Sequence, residues 1–273
     1  MTTQGRAGRP AADSTAPSTD DPGPAWFYWG VKWMFGRPLI RTLFRPVVIG
    51  AELIPEEGPI ILAANHVDAG ETVLGPAMLR RRMTFPAKRE LFEGRRPADL
   101  IRSVFLRLIR QVPLDRSGGQ ASADGMGEVG RVLSRGDVLA MFPEGTRSPD
   151  GRLYKGHTGL ARLALQFDVP VIPIGMVNTQ LVRGPFGLPW YRHPKIVVGA
   201  PLRFSRYAGR SSNRDVLRYV TDEVMNAIME LTGQTYVDMY GAGAKQALAR
   251  GESLDHRILP RPGYGRVAPE AAA

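Results

Sequence analysis

In Asn65-His66-Val67-Asp68-Ala69-Gly70-Glu71 a histidine and a carboxylate lie five residues apart, directly after the apolar run Ile60-Ile61-Leu62-Ala63-Ala64. An imidazole next to a carboxylate pairs a general base with the acid that orients it. The apolar run reads as a buried strand, so the histidine emerges at a strand end, where α/β folds open their ligand crevices. On one continuous helix, residues five apart point about 140° away from each other. His66 and Glu71 therefore meet only if Ala69-Gly70 bends the backbone into a turn. Taken alone, the segment reads equally well as a polar loop capping a helix that starts near Thr72, with Glu71 favourable at its N-terminus.

A second polar cluster follows a second apolar run. Val138-Leu139-Ala140-Met141-Phe142 reads as a strand and continues into Pro143-Glu144-Gly145-Thr146-Arg147-Ser148. A glycine that lets the backbone approach a ligand, a hydroxyl and a guanidinium together suit a phosphate, whose oxygens match the planar fork of arginine. Either Arg116 or Arg147 alone would read as half of an ordinary surface ion pair.

These two clusters, with Lys88-Arg89-Glu90-Leu91, Val112-Pro113-Leu114-Asp115-Arg116 and Val169-Pro170-Val171-Ile172-Pro173-Ile174-Gly175, resemble in order and spacing the blocks of the glycerolipid acyltransferases, typified by 1-acylglycerol-3-phosphate acyltransferase. The resemblance covers residues 25 to 232. Its most specific part is Phe-Pro-Glu-Gly-Thr-Arg followed by the proline-rich strand. The family usually carries aspartate where this chain has Glu71 and serine where it has Asp68. Asp68 is thus an alternative acid for His66, and Glu71 is favoured because its position matches.

The resemblance implies transfer of a fatty acyl group from acyl-CoA or acyl carrier protein to the hydroxyl of a phosphate-bearing lipid. The leading acceptor is 1-acylglycerol-3-phosphate, giving phosphatidic acid. His66, held by Glu71, would take the proton from the acceptor hydroxyl as it attacks the thioester. No Gly-x-Ser-x-Gly elbow supplies an enzymic nucleophile. By the same resemblance Lys88, Arg116, Glu144, Gly145, Thr146 and Arg147 line the acceptor's phosphate pocket. Charge agrees for Lys88, Arg116 and Arg147, whereas Glu144 would repel a phosphate and is cast as fixing an arginine or a hydroxyl. Another lysolipid or glycerol-3-phosphate is an alternative acceptor. From other classes, a catalytically silent membrane-binding protein and a metal-dependent hydrolase are the competing readings. No cofactor is expected beyond the acyl donor, and no metal, because His157, His193 and His256 lack ligand spacing.

Composition narrows the partners. With 273 residues and 43% hydrophobic content the chain can bury the core of one domain. The absence of cysteine excludes disulfides and thiol nucleophiles. The 36 Lys and Arg against 26 Asp and Glu give a formal charge of +10, which calls for an anionic surface or substrate. With no zinc-finger spacing and no aromatic motif of an RNA-binding sheet, an anionic membrane is favoured over nucleic acid. No obligate protein partner is inferred.

Four regions follow. Residues 1–24 are rich in Pro, Ser, Thr and Gly and read as a disordered tail without signal-peptide pattern. Residues 25–48 read as an amphipathic, membrane-lying segment. Trp26, Trp29 and Trp33 share a helical face, Gly36-Arg37-Pro38 interrupts, and the second helix carries Arg37, Arg41 and Arg45 opposite Leu39, Ile40, Leu43 and Phe44. The charges break the run well short of the about 20 apolar residues that span a bilayer. The expected location is the cytoplasmic face of the cell membrane, peripheral or monotopic. Residues 49–235 alternate strand-like and helix-like stretches. They predict an α/β fold with a mostly parallel central sheet flanked by helices, glycerolphosphate-acyltransferase-like by resemblance, behind an N-terminal amphipathic helix pair. Strands are predicted at 60–64, 83–86, 112–115, 138–142, 171–176 and 195–198, and helices at 72–82, 98–110, 123–134, 158–167 and 213–231. Residues 236–273 form a C-terminal extension, partly disordered.

Overall fold

The predicted strands pair into a seven-stranded sheet in the computed structural model of the chain, which describes residues 29–68, 70–93, 96, 99–100, 103–104, 106, 111–114, 127, 129–184 and 187–271. The elements that position the site are, in chain order, α1 (Arg37–Phe44), β1 (Val47–Ile49), β2 (Ile60–Ala64), α2 (Glu71–Met78), β3 (Met83–Lys88), β4 (Gln111–Leu114), β5 (Val138–Met141), β6 (Leu153–Tyr154), α3 (Gly159–Gln166), β7 (Val171–Val177), β8 (Val182–Arg183), β9 (Pro189–Trp190), β10 (Lys195–Val198), α4 (Arg214–Thr232), β11 (Tyr236–Val237), α5 (Gly241–Ala249) and β12 (Ile258–Leu259). The sheet order is β1-β10-β7-β2-β5-β3-β4. Only the β10–β7 pair is antiparallel.

β2 lies between β5 and β7, both parallel to it. Its five residues are all buried, which explains an unbroken apolar run rather than an alternating one. Successive side chains leave a strand on opposite faces. Ile61, Ala63, Leu139 and Val171 join a cluster with Leu160 and Leu163 of α3 and with Val216, Val220, Val224 and Ile228 of α4. Ile60, Leu62, Ala64, Val138, Ala140, Ile172 and Ile174 join another, with Leu74, Ala77 and Met78 of α2 and Ile40 of α1. α4 is set by its ends. The Asn213 side chain accepts the Asp215 and Val216 amides, and Gly233 closes the helix in the left-handed region at φ 68°.

Two elements depart from expectation. The helix predicted over 72–82 ends at Met78, because Leu79 turns extended. The Lys32 ammonium takes the Leu79 carbonyl at 2.5 Å and the Arg80 carbonyl at 3.2 Å, satisfying carbonyls that a longer helix would have used. Burial, then the nearby Arg37 charge, brings Lys32 down to about 8. The expected N-terminal pair is not seen as two separate helices among the described residues. A π-helical stretch, Val31–Gly36, runs directly into α1, with Pro38 in the first turn of α1, where its missing N–H is tolerated. Trp26 lies outside the described residues. The predicted helix over 98–110 and the start of that over 123–134 lie largely outside them as well.

The C-terminal extension differs from its composition. Residues 236–271 form β11, α5 and β12, with β11 pairing β6 and β12 in a small second sheet. Tyr154, Val237, Ala244, Ala247 and Leu254 are buried together beneath it.

Asn65 locks the end of β2 to β7. Its side-chain amide accepts the Met176 N–H at 2.7 Å, donates to the Met176 carbonyl at 2.9 Å and also donates to Gln234, so it acts as one more peptide group of the ladder. Asn65→Leu leaves that N–H and carbonyl buried without these bonds, and should lower the unfolding free energy by about 2–4 kcal/mol, read by urea denaturation.

Candidate active site

Because β2 and β5 are adjacent and parallel, the loops after them leave the sheet at the same end. His66 stands just past β2, and Gly145-Thr146-Arg147 just past β5. The loops are tied backbone to backbone, with the Ser148 N–H donating to the His66 carbonyl at 2.6 Å. They are also tied ring to ring, since the imidazole stacks on Phe142 with centroids 4.0 Å apart and planes 15° apart.

His66 Nδ1 lies 2.8 Å from Glu71 Oε2. Glu71 opens α2, is 0% exposed, and turns its carboxylate back over the loop. There it accepts the Val67 N–H at 2.9 and 3.0 Å, the Asp68 N–H at 3.1 Å and the Thr179 hydroxyl at 2.6 Å. A carboxylate that holds Nδ1–H fixes the tautomer and leaves the lone pair on Nε2. The longer arm of glutamate is accommodated by this turn. Asp68 is engaged elsewhere, its Oδ2 accepting the Leu181 N–H at 3.0 Å and its Oδ1 lying 4.0 Å from the half-exposed Arg147.

The chain does not use Gly70 for a left-handed turn between His66 and Glu71. Gly70 has an ordinary right-handed conformation, φ −66° and ψ −19°. What it supplies is space, since an added Cβ would stand 1.3 Å from the Tyr191 hydroxyl oxygen. Burial, followed by the charges of Asp68 and Glu71, pushes the Tyr191 phenol up to about 12. It therefore remains a neutral donor beside the two acids.

Glu144 is 1% exposed. One oxygen accepts the His66 N–H at 2.8 Å and the other the Tyr154 N–H at 2.9 Å. It holds the two loops and β6 together rather than an arginine or a ligand hydroxyl. Burial raises it to about 8, against the pull of the two amides, with the Glu71 charge adding to the rise. Gly145 needs its left-handed conformation, φ 70°, and a Cβ there would meet His157 at 2.9 Å. The Thr146 hydroxyl accepts Lys245 Nζ at 2.7 Å. Lys88 ends β3, but its side chain and all of Arg116 lie outside the described residues.

Thr179, Tyr191 and Lys245 carry no local sequence signal. They reach the site from 108, 121 and 99 positions away from Glu71, Gly70 and Thr146 respectively, so only the topology shows them. Among the described residues no group of three His, Asp or Glu side chains could hold a metal ion. An apolar cavity lies behind Phe142, lined by Leu62, Met83, Phe85, Ile174 and Met176 among others.

Comparison with known proteins agrees with this geometry. Residues 45–177 match the family model described as Acyltransferase. The chain is 25% identical over 224 residues to a 1-acyl-sn-glycerol-3-phosphate acyltransferase of Cocos nucifera, covering 81% of this chain and 67% of that one. It is 30% identical over 151 residues to the human 1-acyl-sn-glycerol-3-phosphate acyltransferase alpha, covering 55% and 49%. With the enzyme of the same name from Limnanthes alba it is 41% identical over 75 residues, only 27% of either chain. Among solved structures, the 1-acyl-sn-glycerophosphate acyltransferase PlsC of Thermotoga maritima superposes with a TM-score of 0.54 at 23% identity, covering 76% of this chain and 81% of that one. That likeness establishes the α/β fold, with its mostly parallel central sheet flanked by helices.

The two acids next to His66 are separable by mutation. Glu71→Gln should reduce turnover by about 10²-fold or more, because an amide cannot stabilise the imidazolium formed in the transition state. Asp68→Asn should change it far less. Steady-state rates of the two folded variants check this, and the reverse order would make Asp68 the partner.

Proposed function

We propose that the protein transfers a fatty acyl group from a thioester, acyl-CoA or acyl carrier protein, to the free hydroxyl of 1-acylglycerol-3-phosphate, releasing the thiol and phosphatidic acid. The observation that carries this reading is the buried Glu71 holding His66 by Nδ1 within the domain that matches the acyltransferases. Nε2 takes the acceptor's hydroxyl proton as the oxygen attacks the thioester carbonyl. The tetrahedral intermediate then collapses, and the proton passes from the imidazolium to the leaving thiolate. The oxygen–carbon bond forms as the carbon–sulfur bond breaks, with no acyl-enzyme. The Thr146 hydroxyl and the Arg147 guanidinium offer donors for the acceptor's phosphate.

His66→Ala should fold normally and lose about 10²-fold or more of the thiol release from acyl-CoA that depends on lysophosphatidate. A folded variant with wild-type turnover would refute the base. A chelator should leave wild-type transfer unchanged, whereas inhibition would favour the metal-dependent hydrolase.

The site also needs access to a lipid. No helix among the described residues is long and apolar enough to cross a membrane. Instead Trp33, Met34, Leu39, Leu43, Val47 and Ile49 expose apolar surface around α1, with Met34 71% exposed, and Arg41 and Arg45 are exposed among them. Ile40 and Lys32 tie the same segment to the domain. An apolar surface edged by arginine suits an anionic bilayer interface. Replacing Arg37, Arg41 and Arg45 by glutamine should reduce co-sedimentation with phosphatidylglycerol vesicles, and added salt should weaken wild-type binding in the same direction. Replacing Trp33 and Leu39 by serine should reduce it even at high salt. Unchanged binding in both sets would refute the interfacial role.

A further inference from the structure

The C-terminal extension reaches the site at the Thr146 loop, and that contact has a chemical consequence. β11 pairs beside β6, the Lys155 ammonium bonds Asp238 at 2.9 Å, and Tyr240 stacks on His157 with centroids 4.6 Å apart. α5 then starts at Gly241 so close to Thr146 that an added Cβ would stand 2.9 Å from the threonine methyl. Ala244 and Ala247 bury the inner face of α5. One turn into this fixed helix, exposed Lys245 extends to the Thr146 hydroxyl at 2.7 Å.

A hydroxyl that accepts from an ammonium keeps its own proton to donate. Lys245 and Thr146 therefore present an N⁺–H group and an O–H group side by side at the loop edge next to Arg147. That combination suits a dianionic phosphomonoester better than a phosphodiester, which carries one charge fewer, or an uncharged hydroxyl. We infer that Lys245 is a specificity-determining residue, contributed by the C-terminal extension, that contacts the acceptor's phosphomonoester beside Thr146. The inference rests on the acyl-transfer reading above for its substrate, while the contact itself is a phosphate contact.

The full chain with Lys245→Met should show a Michaelis constant for lysophosphatidate raised about tenfold or more, the scale of a lost charge-assisted hydrogen bond. Its kcat, its Michaelis constant for acyl-CoA and its melting temperature should stay at wild-type values, and Lys245→Arg should recover most of the affinity. Lys245 merely bracing Thr146 would instead lower kcat and the melting temperature together, and that result overturns the inference, as does an unchanged Michaelis constant for lysophosphatidate. Calorimetric titration with glycerol 3-phosphate separates the contact from the reaction. If the wild type transfers no acyl group, the acyl-transfer reading fails, yet weaker glycerol 3-phosphate binding by Lys245→Met than by wild type would still uphold the phosphate contact. Equal binding by the two proteins, or none by either, would overturn it.

Discussion

The Glu71 carboxylate is the interaction on which the site depends. It is fully buried at the start of α2 and receives the His66 ring, two backbone amides of its own loop and the Thr179 hydroxyl from beyond β7. Those donors fix the path of residues 66–68, the orientation of the imidazole and the distance between α2 and the end of β7 at once. A buried carboxylate is costly unless its oxygens are occupied, so the same contacts that orient the imidazole also make the acid tolerable inside the fold.

Glu144 holds the other side of His66. It takes the His66 amide, while the Ser148 N–H donates to the His66 carbonyl, so the loop after β5 grips both backbone polar groups of His66. Two buried acids thus stand on either side of one histidine with different tasks, Glu71 on the ring and Glu144 on the backbone. Their proximity is part of what raises Glu144, after burial. Because Glu144 is raised when folded, its contribution to stability is fullest below about 4.5 and declines as pH rises through about 8.

Much of the fold was legible because the buried parallel strands are written as continuous apolar runs. The strand 60–64 appears with the predicted bounds, and those at 138–141 and 171–177 within one residue. The His66 and Glu71 pairing was legible from spacing and from the family's motif. What the sequence did not show is what depends on distant partners: Thr179 against Glu71, Tyr191 in the space left by Gly70, and the early end of α2 at the Lys32 contacts. Glu144 was misplaced for the same reason. A glutamate within a phosphate-like motif reads as a ligand group, and only the burial of its side chain against two amides shows it to be a brace. The C-terminal extension looked irregular because Gly, Pro and Arg dominate its last residues, whereas β11 gains its partner from β6, more than 80 residues earlier, and β12 then pairs with β11.

The central claim is that Glu71 fixes His66 as the Nδ1–H tautomer with a basic Nε2. Nitrogen NMR of histidine-labelled protein above the titration of the ring measures this directly. The account predicts a protonated Nδ1 and an unprotonated Nε2 for His66, with the preference lost in Glu71→Gln. A His66 signal showing the proton on Nε2 in the wild type would contradict it.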